Sequence, residues 1–392
     1  MGNMNDLLDL TAELVAIPSV SHNEQQICDF VEAELQKLPW LEVERIGDNL
    51  VARTNLGRSE RLILGGHLDT VPPSDTDGDV GLRRDGDTLW GTGTSDMKGA
   101  LAVFLALARE FSETSIDVSY IFYAREEVAR KYSGLLELQA TRPDLLGGDA
   151  AILGEPTDGV VEAGCQGSLR ASVKVTGRRA HTARAWMGEN AVHGLAALLS
   201  ALENYQPRKP VIDSCEFHES MQAVSVSGGI AGNVVPDFAE VVISHRFAPD
   251  RSTAEAEQHL LDFVAEAFAV AARNDGSSIS SEFSIEIIDA APACPPSLDH
   301  PLLQSLIEAV GISVKFATSE LEASGELEAN SAASPVRAKL GWTDAAFFSE
   351  LGIPATNFGP GDPLLAHAPD EHISAQKLQE CYATLATVLV RV

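Results

Sequence analysis

The strongest constraint in this sequence is a repeated pairing: a short apolar run that ends in a side chain able to bind metal or carry a proton. Residues 61–66 (RLILGG) have the length and apolar character of a buried strand, and the run ends at His67. Residues 117–124 (DVSYIFYA) form a second run, followed by Glu126 and Glu127, and residues 150–154 (AAILG) a third, followed by Glu155. Between the first two lies a helical stretch, 99–111 (GALAVFLALAREF), and apolar positions at helical spacing also mark 6–16 and 24–38. Strands alternating with helices imply an α/β layer on a mainly parallel sheet. In such sheets ligands gather beyond the carboxyl ends of the strands, where His67, Glu126, Glu127 and Glu155 stand.

From residue 168 the pattern changes. Strands over 168–176, 222–230, 239–247 and 282–289 and helices over 190–204 and 253–272 follow the order β-α-β-β-α-β of a ferredoxin-like unit. This predicts a domain at 168–289 inserted into a catalytic domain made of 1–167 and 290–392. After ACPPS (293–297), residues 301–310 are helical, and 337–392 supply the last strands and a closing helix. Residues 318–335 hold four Glu, no Lys or Arg and many small residues, and are expected to form a flexible acidic loop.

Composition excludes several classes. With 392 residues the chain is long enough for two or three domains. A net charge of −29 argues against nucleic acid and anionic lipid as partners. The five cysteines form no C-x-x-C pair and are odd in number, so neither a disulfide framework nor a cysteine-rich zinc site is expected, and a reducing cytoplasm fits. The N-terminus lacks the basic start and apolar core of a signal peptide. No apolar run approaches the roughly 18 residues of a membrane span.

Five segments carry the chemistry: GGHLDTVP (65–72), WGTGTSDMKGA (90–100), YAREEVA (123–129), LGEPTD (153–158) and LLAHAPDEH (364–372). Together they supply His67, Asp69, Asp96, Glu126, Glu127, Glu155 and His367, two imidazoles and several carboxylates, which suits a pair of zinc ions. Asp96 is the candidate bridge, since a carboxylate between two ions roughly 3.5–4 Å apart balances both. Asp69 lies two residues after His67, on the same side of an extended chain, and is placed to accept the second N–H of His67. Glu126 and Glu127 are adjacent and point apart, so one can bind metal while the other acts as general base. Taken singly, His67 reads as a core histidine, Asp96 as a helix N-cap, the glutamates as a solvated pair and Glu155 as a turn residue. All five segments on one side of one sheet are hard to obtain by chance. GTGTSD (91–96) lacks the final glycine of a dinucleotide loop, and no G-x-S-x-G elbow occurs.

These segments resemble the dizinc amidohydrolases and metallopeptidases that include aminoacylase, acetylornithine deacetylase and glutamate-releasing carboxypeptidase. The likeness runs from about Leu7 to Val390. It implies a zinc-peptidase-like α/β domain with an inserted lid and dimerisation domain, and two Zn2+ per subunit, with Co2+ able to substitute. It implies His67, Asp96 and Glu155 on one ion and Asp96, Glu127 and His367 on the other, with Asp69 behind His67 and Glu126 as general acid/base. GRRAHTARAWMGENA (177–191) matches the segment whose histidine, here His181, enters the active site of the partner in a homodimer. GGIAGNVVPD (228–237) and HRFAPD (245–250) match substrate-contacting segments and imply roles for Asn233 and Arg246. EAGCQGSLR (162–170), KLGWTDAAFF (339–348) and NFGPGDPLLAHAPDE (357–371) look like the branch that removes succinate from a diaminopimelate derivative, and they add Thr343 to the substrate contacts. That branch implies a small N-acyl amino-acid substrate in lysine and diaminopimelate biosynthesis, with acetylornithine deacetylation as the nearest rival. The chain departs from other branches in one respect. Cys165 and Gln166 stand where an Arg pair is usual, and Arg170 and Arg184 are candidates to replace the charge.

Overall fold

The apolar runs become the middle of an eight-stranded sheet. The structure, a computed structural model, describes residues 4–73, 81–275, 282–324 and 334–390. It divides into two compact units. The first comprises Met1–Gly164, Pro296–Lys339 and Thr343–Val392, and the second Cys165–Pro295 with Leu340–Trp342.

Across the first unit's sheet the strands run Glu42–Ile46, Asn49–Arg53, Asp117–Tyr123, Arg61–His67, Ala150–Leu153, Ala355–Asn357, Val161–Ala163 and Val336–Ala338. Four of its seven pairings are parallel, including both made by Arg61–His67. The other three are antiparallel. Asp117–Tyr123 is buried throughout and Arg61–His67 in all but its first residue, so neither strand has a wet face with which to alternate. Helices Met4–Ala16, Gly99–Glu110, Pro301–Ser324 and Ala375–Leu389 contribute Leu8, Leu14, Phe104, Leu302, Leu306 and Leu385 to one core. Each such side chain contributes roughly 1.5–3 kcal/mol on burial. His67 is level with Tyr123, and Gly65 with Leu153, so the segments carrying His67, the glutamate pair and Glu155 leave the sheet at one edge.

The second unit holds a four-stranded antiparallel sheet in the order Ser220–Gly228, Phe238–Phe247, Gly167–Thr176, Glu282–Ala291. This is the ferredoxin-like order 2-3-1-4, with helical segments Ala191–Gly194, Ala196–Glu203 and Thr253–Asp275. The alternating burial of Phe238–Phe247 puts Ala239, Val241 and Ile243 into a core with Leu195, Leu198 and Leu260. Cys165 and Cys294 exchange backbone hydrogen bonds (2.9 and 3.0 Å) where the unit's two chain ends meet.

Two expectations need correction. The helix expected over 190–204 breaks at Leu195, directly after Gly194, a poor helix former. The acidic segment is not a loop throughout. Residues 318–324 continue the helix Pro301–Ser324, because Glu, Leu and Ala favour helix, and 325–333 lie outside the described residues.

Candidate metal centre

His67 ends its strand almost completely buried. Its Nδ1 lies 2.9 Å from the carbonyl oxygen of Asp69, which can only accept, so Nδ1 carries a proton and in the neutral ring Nε2 presents its lone pair. That Nε2 is 3.1 Å from Asp96 Oδ1. The other Asp96 oxygen, Oδ2, is 3.8 Å from His367 Nε2, so the two oxygens of one carboxylate face two histidines. His367 Nε2 also lies 2.9 Å from Glu127 Oε1. His67, Asp96 and Glu127 each offer an atom within 4.8 Å of the others'.

The electrostatics call for cations. Burial alone would lower the His67 pKa, yet its hydrogen bond to Asp96 and the charges of Glu126, Asp96 and Asp69 hold it well above the ordinary value. Burial, then Asp96, push the Glu155 carboxyl up to about 7. Burial, then Glu155, push the Glu126 carboxyl well up. Among the described residues Glu155 Oε1 is buried with no hydrogen-bond partner. A buried carboxylate oxygen without a donor is costly, and a metal ion satisfies it. The donor set, imidazole plus carboxylate, fits zinc.

The Asp69 carboxylate does not take the part expected of it. The Asp69 carbonyl, rather than the side chain, receives the His67 N–H, and Oδ1 is 3.7 Å from Nδ1. The carboxylate instead accepts the backbone N–H groups of Glu126 (3.0 Å) and Glu127 (3.1 Å) and the Ser21 hydroxyl (2.7 Å). The parallel register delivers those N–H groups to it just beyond Tyr123. Nor is Asp96 a helix cap, because the residue at the N-cap of Gly99–Glu110 is Lys98.

Sequence reasoning missed Glu371. Its two oxygens accept the backbone N–H groups of Gly93 (2.8 Å), Ser95 (2.8 Å) and Asp96 (2.9 Å), which fixes the loop that carries Asp96. Burial raises its carboxyl to about 7, against the pull of those bonds. The only available signal was its position four residues after His367. Gly361 is also required, since a Cβ there would stand 2.3 Å from the Ser95 carbonyl oxygen. His367 itself has φ 61°, a left-handed conformation that a non-glycine residue holds only under tertiary constraint. Thr343 is buried, and its hydroxyl donates to Asn357 Oδ1 (2.8 Å). Asp344 beside it is buried and raised to about 6, chiefly by burial.

The second unit carries the remaining candidates. It brings His181 and Asn233 together: Ala180–His181 pairs with Val234–Val235, and the Asn233 carbonyl accepts the Thr182 N–H at 3.0 Å. His181 is exposed. Its Nδ1 accepts the Ala183 N–H at 3.0 Å, so the neutral ring carries its proton on Nε2. Arg246 lies on the four-stranded sheet instead, opposite Ser168 and Ser220. Burial, then Arg170, lower its pKa, against the opposing charge of Asp289. Arg170 is itself bound to Asp289 at 2.6 Å, so it is not free to supply the charge missing at Gln166. Gln166 is buried, and both its amide atoms lack partners among the described residues.

The model of peptidase family M20/M25/M40 matches residues 63–391. The chain belongs to that family. It is 38% identical over 391 residues to a succinyl-diaminopimelate desuccinylase of Corynebacterium glutamicum, covering 98% of this chain and 96% of that one. It is 45% identical over 369 residues to a Mycobacterium tuberculosis protein that carries a provisional desuccinylase name, covering 94% and 93%. A Staphylococcus aureus tripeptidase shares the fold at a TM-score of 0.75 and 19% identity, covering 99% and 98%. A Bacillus subtilis dinuclear metal-binding M20 peptidase does so at 0.65 and 16%, covering 98% and 97%. The protein is thus an M20-family hydrolase, and its α/β unit and inserted α+β unit follow that fold. No helix among the described residues is long and apolar enough to cross a membrane.

Proposed function

We propose that the protein hydrolyses the amide bond of N-succinyl-LL-2,6-diaminopimelate to succinate and LL-2,6-diaminopimelate, a step of lysine and diaminopimelate biosynthesis in the cytoplasm. The observation that carries this reading is near-full-length similarity to the Corynebacterium glutamicum desuccinylase. The geometry at the sheet edge supports the chemistry. In this reading His67, Asp96 and Glu155 would hold one zinc ion, and Asp96, Glu127 and His367 the other. Ions bound there would supply Lewis-acid activation of a water and of the amide carbonyl.

The chain's own residues do the rest. Glu126 is aimed by the Asp69–N–H bond and is not needed as a metal ligand. It takes the proton of the attacking water and returns it to the leaving amine as the C–N bond breaks. The proton on His181 Nε2 suits it to donate to the oxyanion.

Arg246 as the substrate-carboxylate partner is supported by the match of HRFAPD (245–250) to a substrate-contacting segment. Arg246→Lys is expected to lower kcat/KM on the diacid strongly, since Lys cannot reproduce bidentate carboxylate binding. Rates of the purified zinc enzyme on succinyl-diaminopimelate, acetylornithine and dipeptides test the substrate. Acetylornithine turned over as fast or faster than the succinyl compound would overturn the assignment.

A homodimer through the inserted unit is part of the proposal. The edge strand Ser220–Gly228 is largely exposed, and Val224, Val226, Ile230, Trp186 and Met187 of the same unit are exposed apolar groups. Open edges and apolar patches invite self-association. If His181 acts across that dimer, mixing inactive Glu126→Ala and His181→Ala proteins should restore activity on subunit exchange. About half the dimers would be mixed, each with one intact site, giving about a quarter of wild-type turnover. No recovery despite exchange would place His181 within its own chain's chemistry, or outside it.

A further inference from the structure

Three consecutive backbone N–H groups determine where the Glu126 and Glu127 side chains start, and each donates to a buried carboxylate. Asp69 takes those of Glu126 and Glu127. The Arg125 N–H donates to Glu24 Oε1 at 3.1 Å, and the same oxygen accepts the His22 N–H at 2.9 Å. Glu24 is 101 positions away in the chain and completely buried. Arg125 holds φ 64°, a left-handed conformation that a side chain with a Cβ keeps only when its surroundings impose it.

Neither helix capping nor a side-chain network accounts for a carboxylate at position 24. It occupies the N-cap position of Gln25–Leu35, yet its side chain makes no capping hydrogen bond. Its second oxygen is buried with no partner among the described residues, so the group is not there for a network of its own. Burial raises its pKa, and an apolar side chain would fill the space at lower cost. What the carboxylate does is accept two backbone N–H groups on one oxygen, that of His22 in its own loop and that of Arg125 in the turn that carries Glu126. The loop that carries Glu24 is tied to the other half of the clamp. Ser19 and Ser21 exchange backbone hydrogen bonds with Thr70 (2.9 and 3.3 Å), and the Ser21 hydroxyl donates to Asp69 Oδ2.

We infer that Glu24 is a positioning residue for the hydrolytic reaction: through the Arg125 N–H it holds the 125–127 turn in the conformation that aims Glu126 at its proton. The inference rests on the assignment of Glu126 as the proton carrier. Displacement of a reacting group by about 1 Å costs up to about a hundredfold in rate.

The test uses the full-length, metal-loaded enzyme. Glu24→Gln keeps the acceptor oxygen and the shape, whereas Glu24→Met keeps the length and removes the acceptor. Per folded, metal-loaded molecule, Glu24→Met should lower kcat about ten- to a hundredfold with KM little changed, and Glu24→Gln should stay near wild type. Backbone hydrogen exchange at 125–127 should quicken about tenfold in the Met variant and not in the Gln variant, with the strand Asp117–Tyr123 unaffected. Wild-type kcat and exchange in Glu24→Met would overturn the inference, and so would equal damage in both variants. Should Glu24→Met not fold, Glu24→Asp, with its acceptor drawn back by one methylene, takes its place. It should lose turnover in the same way, and wild-type kcat there overturns the inference. Failure of the wild type to hydrolyse the succinyl substrate would count against the substrate assignment alone, because the exchange measurement needs no substrate.

Discussion

Glu126→Gln should give a folded protein that binds metal as the wild type does and has lost about 10²–10⁴-fold in turnover, the usual contribution of a general acid/base. The geometry separates the two adjacent glutamates. Glu127 Oε1 lies 2.9 Å from His367 Nε2 and belongs to the group able to hold an ion. Glu126 makes no such contact with either histidine, and burial and Glu155 keep its carboxyl proton-retentive, a property of a group that must take a proton and later give it back. Gln keeps the size and the backbone bond to Asp69 but cannot carry a proton. Metal content, thermal unfolding and kcat measured on one preparation decide the matter. Loss of metal from Glu126→Ala and not from Glu127→Ala would mean that the two roles are exchanged.

Asp96→Ala should disturb both metal positions and abolish turnover, whereas His367→Ala should release mainly one ion. The difference follows from the two Asp96 oxygens, one toward His67 at 3.1 Å and one toward His367 at 3.8 Å, while His367 otherwise meets only Glu127 within this centre. A bridging carboxylate offsets the repulsion between two cations, so its removal weakens both. His67, Asp96 and Glu155 remain intact in His367→Ala. Metal analysis after dialysis against a weak chelator gives the ratio. Equal loss of both ions from His367→Ala, or loss of one only from Asp96→Ala, would contradict the bridge.

Much of this architecture was determined by local sequence alone. RLILGG and DVSYIFYA have no polar alternation because both faces of their strands are covered, so their apolar runs identify the sheet centre without knowledge of its partners. The β-α-β-β-α-β order between residues 167 and 291 likewise follows from periodicity. His67, Asp96, Glu126, Glu127, Glu155 and His367 could be named because each sits in a short segment of distinctive composition. Tertiary structure alone decided what holds them. Glu371 and the Asp96 loop are 275 residues apart, and Glu24 and Arg125 are 101 apart. A carboxylate that accepts backbone N–H groups leaves no pattern in the acceptor's own neighbourhood, and none in the donor's, since every residue but proline has an N–H to give. For the same reason spacing pointed to the Asp69 side chain as the partner of His67. The Asp69 carbonyl met the ring instead, leaving the carboxylate to the turn that the parallel strand brings beside it.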